Sequence, residues 1–85
     1  MTTEITEATI AAATSVHQID ALREQLEAAS ETATKRLADL TRNLQSQDES
    51  LRRAAVDGLA SASKETVRLS NLVMTALIRR AELVL

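Results

Sequence analysis

The sequence predicts an all-α fold, an antiparallel two-helix hairpin of coiled-coil character. Three observations carry that expectation. The 85 residues contain no proline and a single glycine, Gly58, so nothing in the chain forces a helix to stop. Apolar residues recur every seven positions in two long series, the spacing that keeps one stripe of a helix against a partner. Between the two series lies the longest wholly polar run, residues 45–50, and the series slip phase across it.

The first series is Ile5, Ala12, Ile19, Leu26, Ala33 and Leu40, which predicts a helix over about residues 4–44. The polar run, Gln45-Ser46-Gln47-Asp48-Glu49-Ser50, predicts a turn over about residues 45–48. Within it Ser46 and Glu49 stand at capping-box spacing, the serine accepting from the third helical amide and the glutamate reaching back. Leu44 and Leu51 flank the run and can close over it. The second series, Ala55, Ala62, Leu69, Ala76 and Leu83, predicts a helix over about residues 48–84. Lys35, Arg36 and Arg42 approach the end of the first helix, Asp48 and Glu49 open the second, and Arg79 and Arg80 approach its end. Each helix thereby complements its own macrodipole. Asp48 with Arg52 and Glu49 with Arg53 add favourable four-residue pairs.

Helices of that length span about 55–60 Å. Folding back at the polar run sets Leu40 against Ala55, Ala33 against Ala62, Leu26 against Leu69, Ile19 against Ala76 and Ala12 against Leu83. Most layers then pair a large residue with a small one, which suits close approach. The same register sets an acidic stretch, residues 4–31, against a basic one, residues 64–80. Two other arrangements fit the pattern less well. A three-helix bundle would break near Ser30 and near Asp57-Gly58, where both apolar series run on. A single continuous rod would extend about 125 Å.

Composition points to assembly. Fifteen alanines and no aromatic residue give a core of small side chains, and no cysteine is present to staple it. Such a core in so short a chain rarely supplies more than about 3–5 kcal/mol. Self-association is therefore expected, with dimerisation of one 1–85 helical domain into a four-helix bundle. In residues 67–85 the polar positions Arg68, Asn71, Thr75, Arg79 and Glu82 form one narrow stripe, and most of the remaining circumference is apolar. The seam residues expected to carry the oligomer or partner interface are Ile19, Leu26, Leu40, Leu69, Leu72, Val73, Leu77 and Leu83. Gly58 joins them, because with Ala54, Ala55 and Ala62 it makes a small-residue patch where another helix can approach.

Chemistry is hard to assemble from these residues. His17 is the one histidine, with Asp20 and Glu24 at helical spacing, and it reads as a solvated helix residue rather than a metal ligand. Glu24, Glu27 and Glu31 share a helical strip, but the Glu-x-x-His partner motif of carboxylate-bridged metal bundles is absent. No nucleophile–base set, phosphate-cradling loop or nucleotide fingerprint occurs, so no enzyme, cofactor or metal is expected. The Lys35-Arg36, Arg52-Arg53 and Arg79-Arg80 doublets lack aromatic neighbours and sit in a chain of net charge −2, which argues against nucleic acid. No run of about 18 apolar residues is present to span a bilayer. Glu4 and Glu7 precede the first apolar patch, the wrong charge for a secretory leader, so a cytoplasmic address is the expectation.

The function expected is a non-enzymatic helical module that associates with itself, or with a helical partner, through the Ala/Leu seam. Two alternatives stand beside it. One is a polymerising hairpin subunit of a filament or secretion-type rod. The other is an amphipathic coat on a lipid or polymer granule, driven by residues 67–85. In size and central turn the chain is similar to needle and inner-rod subunits of bacterial injection machines, although needle subunits typically turn at a proline and residues 45–50 have none. In composition it resembles the granule-coating phasins.

Overall fold

Two long helices lie antiparallel, and a third, short one is folded against them. In chain order they are α1 (Glu7–Ala12), α2 (Val16–Asn43) and α3 (Glu49–Val84). The computed structural model describes residues 4–85, and no strand occurs among them. The principal extents are 54 × 25 × 15 Å, the length of the 36-residue α3 rather than of a continuous rod. The radius of gyration is 16.2 Å, whereas a compact domain of this size would have about 12 Å, so the hairpin is slender.

The seam between α2 and α3 is the one the heptad series predicts. Ile19, Ala55 and Ala76 are fully buried, and Leu26, Ala62 and Leu69 are nearly so. Leu26 and Leu69 line one groove, and Arg80 of α3 donates to Asp20, in the second turn of α2, at 2.9 Å. The helices run without interruption through Ser30 and through Gly58, so the three-helix division at those points does not occur.

The connection differs in detail from the capping box expected at Ser46. Asp48 is the N-cap of α3, its carboxylate accepting from the Ser50 amide at 2.9 Å. Ser46 instead accepts from the Asp48 amide through its hydroxyl, and its carbonyl takes the Arg52 guanidinium at 2.6 Å. A carboxylate at the positive helix end outcompetes a neutral hydroxyl for the cap, and Arg52 is drawn away from Asp48. The Glu49–Arg53 pair forms, at 3.2 Å. Helix α2 closes over Leu44 with tightened bonds from the Leu44, Gln45 and Ser46 amides.

The larger departure lies at the N-terminal end. The helix expected over about residues 4–44 is broken at residues 13–15, and the segment before the break turns back on the hairpin. Ser15 caps α2 by accepting from the Gln18 backbone amide at 3.2 Å, while the Gln18 side-chain oxygen Oε1 accepts from the Thr14 amide at 2.7 Å. Thr6 and Thr9 form a capping box that starts α1. The fold-back turns Ile10 and Ala13 into the groove, where they are 0% and 6% exposed, and leaves Ala12 at the surface rather than opposite Leu83. A fully buried isoleucine contributes about 1.5–3 kcal/mol over an exposed one, which outweighs continuing the helix through Ala12.

Helix α1 runs parallel to α3. Arg68 reaches Glu4 at 3.2 Å near its start, and Arg79 donates to the Ala13 carbonyl at 3.0 Å beyond its end. The core therefore sits where three segments meet, at the open end of the hairpin. Ile10, Ala13, Ile19, Leu26, Leu69, Leu72 and Ala76 form it, with Ile5, Leu22, Ala33, Val73 and Leu83 packed around. Towards the turn only Ala55 and Ala62 are buried.

Candidate interaction surface

Most residues expected to form an intermolecular seam are used inside the hairpin. Ile19, Leu26, Leu69 and Leu72 are buried in the core, and Leu40, Val73 and Leu83 are half-buried around it. Gly58 faces Leu40, whose terminal methyl carbons stand 3.3 and 3.4 Å from where a Cβ would lie. The close approach expected at the small-residue patch thus occurs within the chain, between α3 and α2. Of the nine, Leu77 alone is exposed.

The unpartnered apolar surface lies elsewhere on α3. Two interleaved series at spacings of three and four follow its outer side: Val56, Ser63, Ser70, Leu77 and Val84, and between them Ala60, Val67, Met74 and Ala81. All nine positions are exposed, and none is charged. Val56, Val67 and Met74 are 62%, 59% and 56% exposed, high for side chains of this kind. Ile78 and Leu85 widen the stripe at its C-terminal end. At about 100° per residue the stripe lies about a third of a turn around the helix from the face that meets α2. A helix with apolar stripes on two sides has one side spare.

Helix α2 has no such side. Its outer positions are His17, Glu24, Glu27, Glu31, Lys35, Asp39 and Arg42 among alanines, glutamines and threonines, all exposed. Glu27 pairs with Arg23 at 3.8 Å, Glu31 with Lys35 at 3.3 Å and Asp39 with Arg42 at 3.0 Å. Exposed pairs of this spacing add little stability but keep the face solvated. The hairpin is thus two-sided, with a charged back on α2 and an uncharged front on α3.

The electrostatics at the edges hold α1 in place. Arg68 donates to Glu65 through two nitrogens, at 2.6 and 3.0 Å, and its third points at Glu4. The Arg68 hydrogen bond lowers the Glu65 carboxyl below its ordinary 4.5, against a smaller opposing effect of burial. Arg79 pairs with Glu82 at 3.2 Å and keeps its Nε buried without a partner. Among the described residues no three histidine or carboxylate side chains gather as a metal would need. No helix among them is long and apolar enough to cross a membrane.

Sequence reasoning reached part of this surface. It identified residues 67–85 as apolar over most of the circumference, but it did not separate the outward series from the inward one. The signal was present in the unbroken three–four spacing of uncharged residues from Val56 to Val84. No protein-family model, curated protein or solved structure matches this chain.

Proposed function

We propose that this chain is a non-enzymatic helical module that associates with itself through the outer side of α3, two hairpins contributing four helices. The observation that carries the reading is the exposed, uncharged stripe along nearly the whole of α3, set against the charged, solvated outer side of α2. Exposed apolar area of that continuity is a recognised mark of an interaction surface.

The surface area agrees. The chain exposes 6108 Å², whereas a compact monomer of 9.2 kDa exposes about 4,900 Å². The excess, about 1,200 Å², exceeds the roughly 800 Å² that each partner loses in an interface of ordinary size.

Light scattering across a concentration series tests the reading. A fixed even number of subunits is expected, and Met74→Glu should reduce it to one while leaving the helix content unchanged, because Met74 makes no core contact. A wild-type chain that stays monomeric at every concentration would sink the proposal. A mass that grows without limit would favour the filament alternative instead.

A further inference from the structure

We infer that two copies pair through α3 in antiparallel sense, about a two-fold axis passing between Arg68 and Leu69. This rests on the self-association reading and gives it a direction and a register. Val56 of one copy then faces Ala81 of the other, Ala60 faces Leu77, Ser63 faces Met74, and Val67 faces Ser70. Each of these four layers sets one large residue against one small one, the alternation that lets two helices keep a constant distance, and at the end of the overlap Val84 lies against the aliphatic stem of the exposed Arg53.

The competing arrangements lack that match. In a parallel pair each residue meets itself. Ser63, Ser70, Ala60 and Ala81 would then leave gaps, while Met74 and Leu77 hold the axes apart. Sliding the antiparallel pair by one heptad sets Val67 against Leu77 and Ser63 against Ala81, which brings large on large and small on small. It also leaves the first turns of α3 overhanging. The register inferred here overlaps α3 along almost its full length, about 48 Å.

Local relief and charge fit the same pairing. A shallow depression on the stripe is lined by Ser63, Lys64, Val67, Arg68 and Asn71, and the inferred register places the other copy's Met74 over it. An unbranched, polarizable side chain fills such a site well. The charged residues on or beside the stripe are Arg53, Asp57, Lys64 and Arg80; Arg53 is paired with Glu49 and Arg80 is held by Asp20. No like charges are brought together. Antiparallel α3 helices also oppose their macrodipoles favourably. The occupant is a second copy because the stripe complements itself, and because the excess exposed area is what such a partner removes.

The chain has no cysteine, so introduced ones report cleanly. Full-length Val56→Cys and Ala81→Cys are oxidised separately and after mixing, with Glu31→Cys on the outer side of α2 setting the background. Disulfide formation needs Cα atoms within about 4.4–6.8 Å. The mixture should cross-link as a heterodimer and neither variant alone should exceed background. In a parallel pair the two positions would lie about 37 Å apart, and each variant would cross-link with itself. That result overturns the antiparallel register while leaving self-association standing. So does a dimeric mass with no cross-link in any sample. A monomeric mass for the unmodified chain refutes the underlying reading instead.

Discussion

The Arg79 guanidinium donates to the carbonyl oxygen of Ala13 at 3.0 Å, a hydrogen bond between residues 66 positions apart. It fastens the bend before α2 to the last third of α3 and satisfies a carbonyl that the helix break leaves free. Hydrogen bonds to a charged group contribute about 1.5–3 kcal/mol when part-buried. Arg79→Ala should therefore lower the thermal midpoint by about 6–24 °C. Amide exchange should show the Ala13 and Ile10 amides losing protection first. Unchanged exchange at those two amides would show that the bend is held by something else.

Ile10→Ala tests the fold-back itself. Ile10 is fully buried in the structure. In a helix continued from α2 it would stand nine residues before Ile19, about half a rotation away from the seam, and face solvent. The fold-back predicts a loss of about 2 kcal/mol, the low end for such truncations because α1 can lift away as a unit. Urea unfolding measures it. An effect below about 0.5 kcal/mol, the level of an exposed substitution, would favour the continuous helix.

Gly58 offers a sign test. Alanine there gains about 1 kcal/mol of helix propensity. It also brings a Cβ within 3.3 Å of Leu40, a half-buried side chain whose methyl ends can yield by a few tenths of an ångström. Gly58→Ala should raise the thermal midpoint by a few degrees and Gly58→Leu should lower it. If both variants lower it, Leu40 cannot move and the approach is tighter than its position suggests.

Acid should loosen the Arg68 neighbourhood. Because the Glu65 carboxyl is held below 4.5 in the folded chain, its stabilising bond is fully present above that value and is lost as pH falls through the folded value. Glu65→Gln should be less stable than wild type at neutral pH. The gap should close once the pH lies below the folded value of Glu65, where both side chains are uncharged. Denaturant titrations at the two pH values give the comparison. A gap of equal size in both would assign the loss to something other than the ionised carboxyl.

Much of the hairpin was legible because its seam repeats. Ile19, Leu26, Leu69 and Ala76 recur at one spacing, and burial follows spacing wherever two helices share a long contact. The break at residues 13–15 was not read, although Ser15-Val16-His17-Gln18 carries a capping pattern. The apolar series through Ile5, Ala12 and Ile19 ran across it, and only the tertiary groove that receives Ile10 decides between the two phases. The inward use of Leu72 and the outward use of Met74 were inseparable for a related reason. Both lie on an almost wholly apolar helix, and the side taken by α2 is known only once the register is built.

The weight of the core at the open end changes what the connection between α2 and α3 has to do. Ile10, Ile19 and Leu26 meet Leu69, Leu72 and Ala76 far from residues 44–48, while the stretch next to the turn buries alanines alone. The loop acts as a tether that raises local concentration rather than as a clasp that directs pairing. A chain cut at Gln47 should consequently reassemble from its two fragments, and the hairpin behaves as a fused heterodimer whose halves still recognise each other.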